Sequence, residues 1–362
     1  MKILIDIGHP AHVHLFRNLI YALRTKNHDI LITARDKDVT INLLNHYNLN
    51  FKIRPSSSSR ILSKFLGIIK ITFYLWKISK KFHPDVLIGG VGNVYISILG
   101  WITRKPSLIF DDTENSKFEL FFVKLFSKVI ITPDCYLSKM GEKQIRYSGY
   151  HELAYLHPNQ FTPNPSVKKE LCLNGNENYS ILRFVSWQAS HDIGHSGISN
   201  ENKIKVVNEF SKYTKVFITS EGSLPMEIEN NRINISPEKM HDVLAFATLF
   251  YGESATMASE SAVLGTPAIY IDNSSRGYTR EEELKYYLVN NFTESLEDQE
   301  KSICKGVELL QQKNLKTNLF HCRQKLINDK IDVTAFIVWF VENFPSSFKI
   351  MKENQDYQQK FK

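Results

Sequence analysis

KILIDIGHPAHVHLFRNLIYALRTKNHDILITAR, residues 2–35, decides the fold. Residues 2–7 form an apolar run that reads as a buried strand. In the next stretch Val13, Phe16, Leu19, Ile20 and Leu23 recur at helical spacing on one face. HDILITAR (28–35) reads as a second strand. A strand, a helix and a strand of these lengths make a βαβ unit, which requires a parallel sheet.

The same alternation continues outward. DVTINLLNHYN (38–48) is expected as a helix and FKIRP (51–55) as a strand. After a long helical stretch come three further strands within PDVLIGGVG (84–92), PSLIFDD (106–112) and KVIITPD (128–134). Residues 1–150 therefore read as one doubly wound α/β domain. Residues 151–178, rich in Pro and Asn, read as a linker. A second domain of the same kind is expected over 179–331, with strands in YSILRFVSW (179–187), KVFITSE (215–221), LFYGES (249–254) and TPAIYID (266–272). The apolar helix within 332–350 is expected to pack back on the body, and the polar tail 351–362 to fray.

Composition narrows the function classes. The chain has 362 residues, 43% hydrophobic and 23% charged, which excludes a disordered or coiled-coil protein. No apolar run reaches the ~18 residues of a membrane span. The first residues read as a strand and a Gly/Pro turn rather than a leader, so a cytoplasmic location is expected. Four scattered cysteines include no C-x-x-C pair and point to reduced thiols, with neither a disulfide framework nor a zinc site. Residues 1–150 hold 22 Lys/Arg against 11 Asp/Glu, while the remainder holds 23 against 27. A basic first domain implies an anionic partner.

In doubly wound domains the chemistry collects at the carboxyl ends of the strands. Two such domains are expected to face each other across a cleft, and three loops there stand out. GHPAHVHLF (8–16) places His12 near a helix N-terminus, whose dipole disfavours imidazolium and leaves a neutral proton acceptor. His9 and His14 flank it on the side expected to take an acceptor. Caps or packed side chains are the alternatives for all three, and their spacing fits no common metal pair. IFDDTENS (109–116) brings Asp111, Asp112 and Glu114 to the same rim. A carboxylate that orients a histidine base is a recurrent arrangement, and the alternative is an N-cap for the next helix. Glu114 is grouped with the acceptor side.

GESATMASESAVLGTPAIYIDNSSRG (252–277) is the third. Small residues Gly252, Ser254 and Thr256 expose backbone N–H groups at a helix start, a site for phosphate. Ser259 and Glu260 lie one to two turns in, where a carboxylate suits the two hydroxyls of a ribose and is expected at the cleft rather than in the core. Arg276 follows the next strand and suits a diphosphate.

GESATMASESAVLGTPAIY, LRFVSWQASHDIGHSGIS and GYHELAYLHPNQF together resemble the domain-of-unknown-function family numbered 354, within the GT-B glycosyltransferase and nucleotide-sugar epimerase superfamily. The resemblance covers nearly the whole chain. It implies a GT-B architecture and a nucleotide-sugar donor, with His12 at the base position of inverting transferases and Glu260 at the ribose. It also sets Ser186, Gln188 and His191, in SWQASHDIGHSG (186–197), against the donor phosphates and base. PDVLIGGVGN is similar to the segment where UDP-GlcNAc 2-epimerases carry a catalytic Asp, but Val91, Gly92 and Asn93 stand there. HELAYLH (151–157) has its histidines six apart, not four, and does not match a zinc-protease motif.

The expected activity is an inverting, metal-independent transfer of sugar from a nucleotide-diphosphate sugar, most simply a UDP-sugar, to a hydroxyl of a surface-glycan or lipid-linked acceptor. The sugar nucleotide is then a substrate, and neither cofactor nor metal is expected. A nucleotide-sugar 2-epimerase and a non-catalytic sugar-nucleotide-binding protein are the alternatives. The basic, aromatic stretches 60–82 and 117–128 suit an anionic membrane surface, with core helices bearing snorkelling lysines as the alternative. No nucleic-acid-binding module is recognisable.

Overall fold

The computed structural model describes residues 1–56, 61–175, 177–186, 195–274 and 276–362, with only the backbone for 61–65. Gln188 and His191 lie outside the described residues. The chain divides into two units, Met1–Gln160 with Lys330–Lys362, and Phe161–Asp329.

The first unit alternates strands and helices in the order β1 (Lys2–Ile7), α1 (Pro10–Thr25), β2 (Asp29–Arg35), α2 (Thr40–His46), β3 (Phe51–Arg54), α3 (Ile61–Phe82), β4 (Val86–Gly89), α4 (Val94–Thr103), β5 (Ser107–Phe110), α5 (Lys117–Phe126), β6 (Val129–Pro133) and β7 (Gln144–Tyr147). The seven strands form one parallel sheet in the order β3-β2-β1-β4-β5-β6-β7. β1, β4, β5 and β6 are almost wholly buried, as expected of strands covered on both faces. β7, with the sequence QIRY, is not among the strands expected from the sequence. As an edge strand with two partly exposed polar residues it lacks the apolar run that marks the central ones.

Under β1 lies a buried polar knot. Fully buried Asp6 accepts from Thr33 Oγ1 at 2.7 Å, Arg54 Nε at 2.8 Å and Asn93 Nδ2 at 2.8 Å. A buried carboxylate is tolerable only when so paired. The knot ties β1, β2 and β3 to the β4–α4 turn, where Asn93 also caps α4 by accepting from Ile96 N at 3.0 Å.

Two short helices, α6 (Leu153–Leu156) and α7 (Val167–Glu170), follow β7, the second of them within the second unit. That unit runs β8 (Tyr179–Phe184), α8 (Asn200–Phe210), β9 (Lys215–Ser220), α9 (Met240–Phe246), β10 (Leu249–Gly252), α10 (Ala255–Leu264), β11 (Ala268–Ile271), α11 (Gly277–Leu284), β12 (Val289–Phe292), α12 (Leu296–Leu310) and α13 (Leu315–Asp329). Its parallel sheet has the order β12-β11-β10-β8-β9. β12, with the sequence VNNF, is a second edge strand without an apolar run.

The expected linker is divided between the units, with 151–160 belonging to the first. The chain's end returns to the first unit as α14 (Val333–Glu342) and α15 (Ser346–Glu353). Phe336 of α14 stacks on Tyr147, and Glu342 pairs with Lys26 and His28 of the α1–β2 turn. The tail is ordered, contrary to expectation. Residues Gln355–Phe361 form 3-10 turns, with the Phe361 ring against Phe336 and Trp339.

Candidate active site

In the first sheet the connection reverses direction between β1 and β4, and at such a switch point doubly wound sheets place their sites, beside the strand carboxyl ends. Two turns lie there, Gly8–His12 after β1 and Gly90–Asn93 after β4. The His12 ring lies directly on Gly90, where a Cβ would stand 2.6 Å from it. Only glycine permits that approach. The Gly8 N–H donates to His12 Nδ1 at 3.3 Å, so the neutral ring carries its proton on Nε2. Burial, aided by the nearby His151, pushes its pKa down to about 4, and the ring is neutral at physiological pH.

The other two histidines of this loop separate from it. His9 is the exposed N-cap of α1 and accepts from Ala11 N at 3.2 Å. His14 is buried between the rings of Tyr47 and Tyr155.

The carboxylates after β5 take different tasks. Asp111 is fully buried and accepts from Gly92 N at 2.8 Å, Thr113 N at 3.0 Å and Tyr136 Oη at 3.3 Å. It fastens the β4 turn to β5, and burial raises its pKa to about 7. Asp112 faces His151, whose Nδ1 lies 2.8 Å from Asp112 Oδ2. The carboxylate expected to orient His12 thus orients a different histidine. The Nδ1 of His12 is already occupied by the N–H of its own turn. Glu114 accepts from Leu137 N at 3.0 Å, which ties down its own loop.

His151 is the residue the sequence reading missed. It sits in the turn after β7 and is more than nine-tenths buried, with its ring stacked on Tyr147. Its Nε2 is buried and has no hydrogen-bond partner among the described residues. Nδ1 on a carboxylate and a free Nε2 make the arrangement of a general base held in its reactive tautomer. The sequence signal for it is weak, because the strand that GYHE follows has no apolar run of its own.

The second unit has its own switch point, between β8 and β10. Gly252 ends β10 so close to β8 that a Cβ would stand 2.2 Å from the Arg183 carbonyl oxygen. The next residue, buried Glu253, accepts from Val185 N at 2.6 Å and Ile198 N at 2.5 Å, and so holds both ends of the segment that contains Gln188 and His191. Ser186 N and Oγ lie 3.4 Å from Glu221 Oε2. Ser254 caps α10 by accepting from Met257 N at 3.3 Å, and Thr256 is half-buried in its first turn.

Further into α10, Ser259 is fully buried and donates to Glu282 at 2.6 Å, which turns it into the fold. Glu260 is buried as well, with His241 Nε2 3.0 Å from its carboxylate. It was expected at the rim rather than in the core; α10 is buried over most of its length because it packs against α9, α11 and α13. Arg276 precedes α11, and its Nε is buried without a partner among the described residues.

His195, Asp272 and Glu294 bring possible ligand atoms within 4.8 Å of one another. Their lone pairs are engaged already. Glu294 accepts from Ser196 N at 2.6 Å, from Gly197 N at 2.8 Å and from His195, and Asp272 accepts from Ser274 N at 2.7 Å. The cluster clamps three loops together.

Two parallel-sheet α/β units with these strand orders define the GT-B architecture. Solved structures match it over most of their length. A spinosyn rhamnosyltransferase complexed with thymidine diphosphate matches with a TM-score of 0.65 at 11% identity, covering 95% of this chain and 100% of that one. The UDP co-structure of S. aureus MnaA gives 0.62 at 13%, covering 89% and 90%. The UDP-GlcNAc 2-epimerase from Methanocaldococcus jannaschii gives 0.61 at 13%, covering 87% and 94%. A search of curated proteins finds no match. The chain belongs to the family described as "Protein of unknown function (DUF354)", which matches residues 1–332.

Proposed function

We propose that the protein is an inverting glycosyltransferase that uses a nucleotide-diphosphate sugar, with the Asp112–His151 pair as its proton acceptor. The observation that carries this reading is the 2.8 Å contact between His151 Nδ1 and Asp112, with the other ring nitrogen unpartnered among the described residues. His151 Nε2 takes the proton of an acceptor hydroxyl while that oxygen attacks the anomeric carbon. The bond from that carbon to the diphosphate oxygen breaks, and its electron pair stays on the leaving nucleotide diphosphate. Asp112 stabilises the imidazolium that forms. The neutral His12, a donor through Nε2–H, stands within electrostatic reach of the same ring.

The donor is assigned to the second unit. The Ser254-capped start of α10 offers backbone N–H groups to the diphosphate, Arg276 its guanidinium, and Glu260 a carboxylate for the ribose. A UDP-sugar is the simplest donor, and the UDP and thymidine diphosphate held by the structural neighbours favour a nucleotide diphosphate. Calorimetric titration with UDP, TDP, GDP and CMP tests this. Binding of a nucleoside diphosphate supports it, and no binding of any of the four sinks it.

One observation favours a 2-epimerase instead. The Asp111 carboxyl, titrating near 7, holds a proton that exchanges around neutral pH. Against it, Asp111 is sealed in the fold by three donors. Asn93, in the stretch where the epimerases carry a catalytic Asp, is spent on Asp6 and the α4 cap. A UDP-HexNAc incubated alone in deuterated water is expected to gain no deuterium at C2. Deuterium there, with release of the epimer, establishes the epimerase.

A further inference from the structure

We propose that the outer face of α3, α4 and α5 is a docking surface for an anionic lipid bilayer, a role independent of the reaction assigned above. The three helices lie side by side on one face of the first sheet. Their inner residues, among them Ile71, Leu75, Leu99 and Val123, pack on Leu4, Leu87, Ile109 and Ile130 of the strands. Their outer residues ought then to be polar throughout. Instead large apolar side chains stand among the exposed lysines.

Leu66, Ile69 and Phe73 form one outward stripe on α3, with Ile69 67% exposed. Trp101 and Ile102 stand out from the end of α4, Trp101 at 64%. Phe118, Phe121 and Leu125 do the same on α5, Phe121 at 64%. Trp101 lies 5.2 Å from Phe126 ring to ring, which joins the α4 and α5 parts. Of the eighteen large apolar side chains that stand exposed among the described residues, eight are on these three helices. Single exposed apolar residues are ordinary, but such a concentration marks an interaction site.

The charge around the patch selects the occupant. The three helices carry seven lysines and one acidic residue, Glu119. Arg104, Lys105 and Lys128 follow directly on α4 and α5. Lys77 and Lys80 continue the outward side of α3 beyond Phe73, and Lys77 lies 4.6 Å over the Phe73 ring. The contact is made by the Lys77 ammonium itself, a cation–π pair at the exposed end of the apolar stripe that sets positive charge beside the aromatic surface. A second copy of this chain on the same face would set lysines against lysines. An anionic bilayer meets both requirements, with headgroups for the lysines and acyl chains for the aromatic and aliphatic side chains. Among the described residues no helix is long and apolar enough to cross a membrane, so the face lies on the bilayer rather than through it.

Flotation of the full chain with vesicles tests this. The protein is expected to float with phosphatidylcholine–phosphatidylglycerol vesicles, to float much less with phosphatidylcholine alone, and to be released by high salt. Each lysine near the surface contributes about fivefold in partitioning. Lys77→Gln, Lys80→Gln and Lys81→Gln together should therefore lower it by about a hundredfold. Ile69→Ser with Phe121→Ser should abolish it and leave the melting temperature unchanged, because both side chains are already exposed. No flotation of the wild type, equal partitioning onto neutral vesicles, or variants that float like the wild type overturns the proposal. So does light scattering that shows a dimer which the Ile69→Ser, Phe121→Ser variant dissociates.

Discussion

His151 and Asp112 are 39 positions apart in sequence and 2.8 Å apart in the fold, joined Nδ1 to Oδ2. β5 delivers Asp112 to the sheet's carboxyl edge and β7 delivers His151 two strands away, and the turn after β7 folds back to bring them together.

Loss of this pair should stop proton transfer and spare donor binding. His151→Ala is expected to lower kcat by ~10²–10⁴, the range of lost general-base catalysis. Asp112→Asn should have a similar effect by stabilising the wrong tautomer. Nucleotide affinity measured by calorimetry should stay within about twofold. Wild-type turnover by His151→Ala removes the pair from the mechanism.

Gly90→Ala tests the close approach at the switch point. The added methyl would stand 2.6 Å from the His12 ring, so the ring or the β4 turn must move. Overpacking of this kind costs about 1–3 kcal/mol, read as a lower urea midpoint. Double substitution with His12→Ala should recover part of that loss, because the obstructed ring is then gone. A double variant no more stable than Gly90→Ala would falsify the contact as the cause.

Two buried groups near this switch point should pull stability in opposite directions with pH. His12 is held to about 4, below its ordinary 6.5. Between those values the unfolded chain binds a proton that the folded one does not, so this contribution is full above 6.5 and is lost as pH falls towards 4. Asp111 is raised to about 7 from 3.8. The folded chain keeps its proton where the unfolded chain has lost it, so stability falls as pH rises through that window. Each effect is on the order of 2–4 kcal/mol, and they offset. His12→Gln should therefore unmask a decline in stability from pH 4 to 7, and Asp111→Asn a rise. Urea denaturation across that range reads both, and parallel curves for the two variants rule out the opposition.

Glu260 has a structural partner as well as an assigned ligand. Glu260→Ala leaves His241 buried without its carboxylate and should cost about 1–3 kcal/mol of stability as well as nucleotide affinity. Glu260→Gln still offers His241 an acceptor and should melt close to the wild type while binding nucleotide more weakly. Unchanged nucleotide affinity in Glu260→Gln refutes the ribose assignment and leaves the His241 contact as the residue's role.

The sequence by itself determined the two α/β units, most of their strands and the loops that carry chemistry. Those properties are written in short-range pattern. The apolar run of β1 followed by the helical spacing of α1 is legible within 25 residues, and so is the placement of His12 at the turn between them. β7 and β12 escaped because edge strands need no continuous apolar run. The tertiary structure alone decided which side chains meet. His9, His12 and His14 look alike in sequence, yet one caps, one lies on Gly90 and one packs between tyrosines. Asp111 and Asp112 are neighbours that face different partners, because successive residues leaving a strand point to opposite sides. His151 became Asp112's partner through the lateral order of β5, β6 and β7. Strand order is a long-range property, fixed by which helices cover which face of the sheet, and no local spacing records it.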